Sequence, residues 1–189
     1  MFRNTHPANS ARRHCANGPF RMPIEIERKF LVLSREATLP TNSHHIVQGY
    51  LSTSGTAVRV RVIGEQGFIG IKTPVLPRGT VVQGIAAEIA RAEYEYEIPK
   101  RDAEEILPLC ELCVSKTRYY LPGGFELDVF EGVLAGLELI EYESDDVDSM
   151  PPIPEGFRVL EVTGDPVFNN IRLAKDGIPE SLRARSLQE

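Results

Sequence analysis

Glu25, Glu27 and Lys29 occupy every second position in the segment Ile24–Leu33. This segment is dense in apolar and branched residues, which predicts a β-strand, and alternate side chains of a strand lie on one face. Two carboxylates suit a hard divalent cation, and an ammonium group suits a phosphate oxygen. The spacing therefore predicts a strand face whose charges need partners of this kind.

Charged side chains recur at alternate positions in most of the later predicted strands. The basic ones are Arg59, Arg61, Lys72, Lys116 and Arg118, and the acidic ones are Glu93, Glu95, Glu97, Glu126, Asp128, Glu141 and Glu143. Taken alone, each of these segments fits an ordinary half-buried strand whose charged face lies in water. A solvated face, however, rarely sorts cations and anions onto separate strands. We therefore interpret the charged faces as the lining of one shared interior.

A shared interior requires a closed sheet, and the order of predicted elements favours one. Short alternating segments predict strands, and helical periodicity predicts helices. The predicted strands are Ile24–Leu33, Ile46–Leu51, Ala57–Ile63, Phe68–Thr73, Glu93–Ile98, Ser115–Leu121, Phe125–Phe130, Leu137–Glu143 and Phe157–Thr163, and the predicted helices are Lys100–Leu112 and Asn169–Lys175. About eight strands close into a barrel with room for side chains or one small ligand. Pro108 should kink the first of these helices or mark a break in it. We expect an α+β fold in which helices cover part of the outside of the barrel.

Buried charges narrow the choice of ligand, because burial is costly unless the charges are paired or bind ions. A phosphate chain bridged by Mg²⁺ or Mn²⁺ satisfies both signs, since basic groups hold phosphate oxygens and carboxylates hold the metal. So many basic groups favour a polyanion longer than a single phosphate. The sequence contains no G-x-x-x-x-G-K, G-x-G-x-x-G or G-x-S-x-G motif that would indicate a different site.

Composition limits the remaining possibilities. The chain has 189 residues, a formal net charge of −6 and 42% hydrophobic residues, which suits one domain and argues against a nucleic-acid partner. No apolar run is long enough for a membrane span, so no membrane partner is expected, and no secretory signal is visible. Residues 1–21 are basic and lack periodicity, which predicts a disordered extension, with Met22 as the natural start and one domain over 22–189.

Cys110 and Cys113 have the spacing of a redox or metal-binding pair. No second pair and no histidine at zinc-finger spacing follows them. We therefore interpret them as ordinary helix-surface or core cysteines, and we expect the protein to lie in a reducing cytoplasm.

Taken together, these residues resemble the CYTH family, also called triphosphate tunnel metalloenzymes. The resemblance runs from about Pro23 to Pro179. The matching motifs are Glu25-x-Glu27-x-Lys29, Gln48-Gly49-Tyr50, Arg59-x-Arg61, Gly70-Ile71-Lys72, Arg91-x-Glu93-x-Glu95, Lys116-x-Arg118, Glu126-x-Asp128, Glu141-x-Glu143 and the closing segment Glu161–Asp165. A single E-x-E-x-K motif is weak, but this many motifs in order are specific.

The resemblance implies an eight-stranded antiparallel barrel whose tunnel binds a triphosphate with divalent metal, Mg²⁺ or Mn²⁺. It implies metal ligands at Glu25, Glu27, Asp128, Glu141 and Glu143, with Glu93 and Glu95 at a second metal or orienting water. It implies phosphate ligands at Lys29, Arg59, Arg61, Lys72, Lys116 and Arg118. The expected catalytic residues are Lys29, Tyr50, Lys72 and Lys116, with a simple packed aromatic as the alternative for Tyr50.

By the same resemblance, the expected activity is metal-dependent hydrolysis of a triphosphate, first of all inorganic tripolyphosphate. A class IV-type adenylyl cyclase would use the same residues, and a thiamine triphosphatase is a third enzyme of this kind. A non-catalytic polyphosphate-binding module is the alternative from another class. The expected partner is a small triphosphate-containing molecule, namely tripolyphosphate, ATP or thiamine triphosphate, and a homodimer is left open.

One segment departs from the family pattern. Val75–Ala90 is longer than in compact bacterial members, where the strand that carries the Arg91 position follows soon after the lysine strand. We expect a lid or an extended pair of strands in this segment.

Overall fold

A computed structural model describes residues 24–73, 90–144 and 152–183 of the chain. The strands in these ranges are β1 (Ile24–Arg35), β2 (Ser43–Ser52), β3 (Ala57–Ile63), β4 (Gln66–Thr73), β5 (Ala90–Ile98), β6 (Leu112–Tyr120), β7 (Phe125–Phe130), β8 (Glu138–Ser144) and β9 (Phe157–Glu161). The helices are α1 (Lys100–Ile106), α2 (Asn170–Asp176) and α3 (Glu180–Arg183). The predicted α+β composition is confirmed in the described ranges, with strands predominating.

The strands form one antiparallel sheet in the order β5-β4-β3-β2-β6-β7-β8-β1-β9. The long strand β1 pairs with three others, namely with β8 through Ile26–Leu31, with β9 through Phe30–Arg35 and with β5 through Ile24–Ile26. The pairing with β5 joins β1 to the strand at the opposite end of the order. The charged strand β5 is thereby placed directly beside β1, and β4 and β3 follow it in the sheet.

The sheet differs in one respect from the eight-stranded barrel implied by the resemblance. The described residues form nine strands, and β9 is the edge strand beside β1. Its segment was among the predicted strands, but Val162 and Thr163 lie beyond its end. The expected extension at residues 1–21 and nearly all of the expected lid at Val75–Ala90 lie outside the described residues.

The helix predicted at Lys100–Leu112 is shorter than expected. Helix α1 ends at Ile106, a 3₁₀ turn follows at Leu107–Leu109, and β6 begins at Leu112. Pro108 explains this, because proline has no N–H for the helical hydrogen bond and its ring clashes with the preceding turn. The two cysteines were expected on a helix surface or in the core, but Cys110 follows the 3₁₀ turn and is half-buried, and Cys113 lies on β6 and is exposed. Both thiols are free, as an ordinary pair without a metal or disulfide role would be.

Apolar and charged side chains alternate along the strands, so that the sheet has an apolar face and a charged face. On one face, apolar side chains form the outer core, which consists of Phe30, Leu121, Phe125, Leu127 and Ile140. The neighbours of this core in the chain, such as Lys29, Asp128 and Glu141, project from the opposite face and are also buried. This charged face carries the candidate site.

A second apolar cluster lies on the charged face itself. This end cluster consists of Leu31, Val114, Phe130, Leu134, Leu137, Leu139, Val162, Phe168 and Leu173. It includes Leu173 of α2, so this helix covers the charged face instead of packing outside as expected. Helix α1 does pack against the other face, where Ala103 lies over Gly67 of β4.

In the part of the chain that the structure describes, no helix is long and apolar enough to cross a membrane.

Candidate active site

Lys29 lies at the centre of the charged face, on β1. Its Nζ is 2.9 Å from Glu141 Oε1 and 3.1 Å from Glu27 Oε1. Its backbone N–H donates to Thr163 Oγ1 at 3.1 Å, and its carbonyl accepts from the Val162 N–H at 2.8 Å, so the chain after β9 fixes its position. Burial alone lowers the pKa of Lys29, but the charges of Glu141 and Glu27 outweigh it and raise the pKa, which keeps the ammonium charged.

Arg118 of β6 contacts three carboxylates, two from the neighbouring strand β7 and one from β8, the strand beyond it. It contacts Asp128 through Nε and Nη2 at 2.7 Å each, Glu141 through Nη2 at 2.7 Å, and Glu126 through Nη1. Asp128 is fully buried, and its second partner is Lys116 of β6. Burial lowers the pKa of Lys116, and the nearby Arg118 charge lowers it further against the pull of Asp128. Three carboxylates, those of Glu126, Asp128 and Glu141, therefore share the charge of Arg118 in this part of the face.

The other half of the charged face is built from β3, β4 and β5. Glu93 pairs with Arg59, and with Lys72 at 3.1 Å between Oε2 and Nζ. Glu95 pairs with Arg61 at 2.6 Å and lies 3.7 Å from Arg59. Burial alone raises the pKa of Glu93, but the charges of Arg59 and Lys72 overcome this and lower it.

Glu27 joins the two halves into one structure. Its Oε1 faces Lys29, and its Oε2 lies 3.7 Å from the Nζ of Lys72. We call the resulting set the ion-pair network; it comprises Lys29, Arg59, Arg61, Lys72, Lys116, Arg118, Glu27, Glu93, Glu95, Glu126, Asp128 and Glu141. As expected, the network's cations and anions lie on separate strands, except on β1, which carries both Glu27 and Lys29, and the other ion pairs therefore form between strands.

Two arginines keep a donor without a partner. The Nε atoms of Arg59 and Arg61 are buried and make no hydrogen bond to the described residues. A buried N–H group without an acceptor costs free energy, about 1–3 kcal/mol, so such groups are usually satisfied by a ligand or by water. Guanidinium groups bind phosphate oxygens with two N–H donors at once, so these atoms fit an oxyanion in the space between the strands.

Tyr50 projects into the same region from β2, and its ring is buried. Its hydroxyl accepts a hydrogen bond from Gln48 Nε2 at 2.6 Å. Burial raises the pKa of Tyr50 to about 12, with the charges of Arg59 and Lys29 acting in the opposite direction. The hydroxyl therefore stays protonated at neutral pH, and its proton is available for a substrate oxygen.

Three carboxylates of the network are candidate ligands for a divalent metal. Glu126, Asp128 and Glu141 all converge on Arg118. Burial raises the pKa of Glu126, and the charges of Glu141 and Asp128 raise it further against Arg118, so additional positive charge is favourable there. Oxygen donors of this kind fit Mg²⁺ or Mn²⁺. As they stand, however, no three acidic, histidine or cysteine side chains among the described residues surround a common point suited to a metal.

The structure brings together nearly all the expected site residues. Those present in the ion-pair network or beside it are Glu27, Lys29, Tyr50, Arg59, Arg61, Lys72, Glu93, Glu95, Lys116, Arg118, Asp128 and Glu141. Glu143 lies two positions beyond Glu141 on β8 and is exposed. The backbone of Glu25 pairs with Arg91, but the side chains of both lie outside the described set.

Two participants were not among the expected site residues. Glu126 belongs to the motif Glu126-x-Asp128, but no role was expected for it. Gln48 belongs to the motif Gln48-Gly49-Tyr50, and no role was expected for it either. The signal for Glu126 was its position two residues before Asp128, on the same strand face. The signal for Gln48 was its position two residues before Tyr50, which gave it the same face of β2.

The sequence profile of the CYTH domain family matches residues 23–156. The chain belongs to this family. The match includes every member of the ion-pair network.

Curated relatives in this CYTH family have a named activity. An inorganic triphosphatase from Acetivibrio thermocellus is 36% identical over 161 residues, which cover 82% of this chain and 96% of the relative. An inorganic triphosphatase from Nitrosomonas europaea is 38% identical over 161 residues, with coverage of 79% and 96%. A crystal structure of the inorganic triphosphatase NE1496 superposes with a TM-score of 0.51 at 36% identity and covers 79% of this chain and 93% of its own.

Proposed function

We propose that this CYTH protein is an inorganic triphosphatase that hydrolyses tripolyphosphate with a divalent metal, Mg²⁺ or Mn²⁺. The observation that carries the proposal is the buried ion-pair network, in which each lysine and arginine contacts at least one carboxylate that a second cation also contacts. A phosphate chain offers oxygens to several of these cations at once. The activity named for the two curated relatives supports the same substrate.

We propose further that strands β1 to β8 enclose the network as a tunnel. The support is the pairing of Ile24–Ile26 with Ala90–Ala92, which joins β1 to β5, together with the pairing of β1 with β8. Side chains from β1, β3, β4, β5, β6, β7 and β8 then face one enclosed space. Exclusion of bulk water from that space strengthens every electrostatic contact to the substrate.

The metal would be held by carboxylates that the structure groups around Lys29 and Arg118. Glu27, Asp128 and Glu141 are proposed as its ligands, with Glu25 and Glu143 as further ligands at the same end of β1 and β8. When bound, the metal neutralises charge on phosphate oxygens and orients the phosphate chain. Glu93 and Glu95 are proposed to hold a second metal or to orient water. They also pair with Arg59 and Arg61 and so orient these two arginines.

The reaction is the attack of water on a phosphorus atom of tripolyphosphate. The bond from this phosphorus to the bridging oxygen breaks, orthophosphate and pyrophosphate form, and the leaving group takes the electron pair. In such a loose transition state, charge spreads over the phosphate oxygens, and catalysis comes mainly from positioning and charge neutralisation. Lys29, Lys72 and Lys116 supply point charges, whereas the arginines supply paired donors. Tyr50 supplies a hydroxyl proton that remains bound until pH rises to about 12.

A substrate panel tests the proposal. Purified protein is incubated with tripolyphosphate, ATP or thiamine triphosphate, each with Mg²⁺ or Mn²⁺, and orthophosphate and cyclic AMP are measured. We expect the fastest orthophosphate release from tripolyphosphate, no cyclic AMP, and loss of activity with a chelator. Cyclic AMP from ATP, or no turnover of any triphosphate, would overturn the proposal. The cytoplasmic location and the homodimer stay predictions.

A further inference from the structure

Strand β1 changes its neighbour on one edge at the position of Lys29. On this edge, β1 pairs with β5 through Ile24–Ile26 and with β9 through Phe30–Arg35. Within the ranges that the structure describes, residues 27–29 lie between these two ladders and pair with a strand only on the other edge, with β8. The backbone of Lys29 therefore lies at a seam of the sheet, and its hydrogen bonds on the seam side must come from another source.

The segment that follows β9 supplies these hydrogen bonds. The Lys29 carbonyl accepts from the N–H of Val162, the first residue after β9, at 2.8 Å. The Lys29 N–H donates to the side-chain oxygen Oγ1 of Thr163 at 3.1 Å. A threonine side chain thus takes the place of the backbone carbonyl that a neighbouring strand would offer.

An ion pair orients the hydroxyl of Thr163. This hydroxyl lies 2.8 Å from Glu161 Oε1, and the Glu161 carboxylate also accepts from Arg28 Nε at 3.0 Å and from Arg28 Nη2 at 2.8 Å. An ionised carboxylate only accepts hydrogen bonds, so the hydroxyl donates to it. The hydroxyl is also 3.5 Å from the Lys29 carbonyl, but this contact is longer, and that carbonyl already accepts from Val162. The oxygen of Thr163 therefore keeps its lone pairs for the Lys29 N–H.

These contacts form a closed loop that begins and ends on β1. Arg28 and Lys29 are adjacent on this strand, and alternation places their side chains on opposite faces. Arg28 holds Glu161, Glu161 holds the Thr163 hydroxyl, and this hydroxyl returns to the Lys29 N–H. The loop thereby fixes the β1 backbone at the point from which the Lys29 side chain enters the ion-pair network.

The position of this backbone matters because the ammonium group of Lys29 is closely confined. Its Nζ lies 2.9 Å from Glu141 Oε1 and 3.1 Å from Glu27 Oε1. A misplacement of about 1 Å in a positioned group can cost about 10²-fold in rate. Without the Thr163 hydroxyl, the Lys29 N–H loses its acceptor, and the strand is free to shift at the seam.

We propose that Thr163 is a positioning residue for the hydrolysis of tripolyphosphate and that it acts on the phosphate chain only through Lys29. The proposal rests on the proposed function and adds a residue to it, supported by Glu161 and Arg28. The hydroxyl of Thr163 donates to Glu161 and accepts from the Lys29 backbone, so it makes no contact with the substrate in this arrangement.

Substitutions at position 163 separate the hydroxyl from the shape of the side chain. Thr163→Val keeps the branched shape and removes the hydroxyl, whereas Thr163→Ser keeps the hydroxyl. We expect Thr163→Val to lower kcat/KM for tripolyphosphate by about tenfold and Thr163→Ser to stay within about twofold of wild type. Wild-type kcat/KM in a folded Thr163→Val protein, or equal losses in the two variants, would overturn the proposal.

Thr117→Val is the matched control. Thr117 is also partly buried and adjacent to a lysine of the network, Lys116, and its hydroxyl also donates to a carboxylate, that of Glu131 at 2.9 Å. Its hydroxyl donates to an acceptor outside the network. We expect Thr117→Val to stay within about twofold of wild-type kcat/KM. A loss as large as that of Thr163→Val would show a general effect of removing a hydroxyl and would overturn the proposal.

A double-mutant cycle shows whether Thr163 acts through Lys29. Thr163→Val is compared in the wild-type and Lys29→Ala backgrounds, with a thermal melt of each protein. We expect a loss in kcat/KM of about tenfold in the first background and of less than about twofold in the second, where no ammonium remains to be positioned. Equal losses in both backgrounds would show a merely structural role and would overturn the proposal. If Thr163→Val lacks a cooperative melt, Glu161→Ala, which removes the acceptor of the hydroxyl, replaces it in the cycle with the same expectation.

Hydrogen exchange separates this proposal from the proposed function. The exchange rate of the Lys29 amide is measured by NMR in the substrate-free wild-type, Thr163→Ser and Thr163→Val proteins. We expect slow exchange in the first two and exchange at least about tenfold faster in the third, because the amide has lost its acceptor. If the wild-type protein hydrolyses no triphosphate, the proposed function fails. Equal exchange of the Lys29 amide in all three proteins would instead overturn the positioning role itself.

Discussion

Lys29 and Lys116 are both buried lysines of the ion-pair network, yet their surroundings shift their pKa values in opposite directions. Lys29 has carboxylates on both sides, Glu27 and Glu141, which raise its pKa. Lys116 shares Asp128 with Arg118, and its burial lowers its pKa. Of these two lysines, Lys29 is therefore the more firmly charged at high pH, and we expect it to take the larger part in binding the phosphate chain.

Replacement of Lys29 tests that assignment. We expect Lys29→Ala to lower kcat for tripolyphosphate by about 10²–10³-fold, the loss typical of removing one preorganised electrostatic group. Lys100→Ala is the control, because Lys100 pairs with Glu65 and Glu104 outside the network. Steady-state kinetics with a thermal melt for each variant make the measurement, and near wild-type kcat in a folded Lys29 variant would refute the role.

The shifted pKa of Glu141 makes the free energy of unfolding depend on pH. Burial alone raises its pKa, but the charges of Lys29, Lys116 and Arg118 outweigh this and hold the pKa well below the usual value of 4.5. A carboxylate whose pKa is lower in the folded state stabilises above its unfolded pKa, and this stability is lost as pH falls through the folded pKa. The contribution of Glu141 should therefore be constant near neutral pH and should decline below pH 4.5.

Glu141→Gln measures that contribution. At pH 7 we expect a loss of about 3–5 kcal/mol in the free energy of unfolding, because a buried ion pair is broken and its cations stay buried. Glu138→Gln on the same strand, whose partner Arg35 is partly exposed, should cost about 1 kcal/mol or less. Urea titrations from about pH 8 down to about pH 3, below the unfolded-state pKa, provide the comparison. A gap in unfolding free energy between wild type and Glu141→Gln that widens on acidification would contradict the sign.

At the scale of the elements, β4 shows how one strand serves both faces. Gly67 lies under helix α1, where an added Cβ would be 2.9 Å from the Ala103 Cβ and 3.0 Å from the Lys100 Cα. Gly70 faces the network, where an added Cβ would be 3.0 Å from the Arg59 Nε. One glycine therefore permits helix packing, and the other leaves room for a guanidinium group.

Two substitutions on β4 should separate these roles. Gly67→Ala forces backbone atoms of α1 to shift, so we expect a loss of about 1–3 kcal/mol in unfolding free energy with little change in kcat/KM. Gly70→Ala displaces only a flexible side chain, so we expect a smaller stability loss but a fall of about 10²-fold in kcat/KM from the misplaced Arg59. Equal losses of kcat/KM in both variants would contradict the assignment of Gly67 to helix packing and of Gly70 to the placement of Arg59.

The strands were the most predictable elements, because apolar and charged residues alternate within short segments such as Ala57–Ile63 and Phe125–Phe130. This pattern can be seen without knowing any long-range contact. The break at Pro108 was also predictable, although the helix was expected to continue to Leu112 and α1 ends at Ile106. The pairing of Glu126 with Arg118 and of Glu27 with Lys72 could not be predicted from spacing, since it depends on the register between strands distant in sequence. The place of α2 over the charged face likewise depends on long-range packing.

At the scale of the whole molecule, the network balances its own charges before any ligand binds. Each described cation of the network contacts at least one carboxylate, and Arg59 and Arg61 still keep a free buried donor. A polyanion that takes over the cations leaves the carboxylates to bind a metal ion. Substrate and metal are therefore expected to bind cooperatively in this CYTH protein, and either one alone should bind more weakly.

We propose that water attacks a terminal phosphorus of tripolyphosphate inside the ion-pair network. This is tested most directly by ³¹P NMR of the products that the wild-type protein forms with Mg²⁺ or Mn²⁺ in ¹⁸O-enriched water. We expect one orthophosphate and one pyrophosphate per tripolyphosphate, with the label in orthophosphate. Label in pyrophosphate would contradict attack at a terminal phosphorus, and unchanged tripolyphosphate would contradict the assigned activity itself.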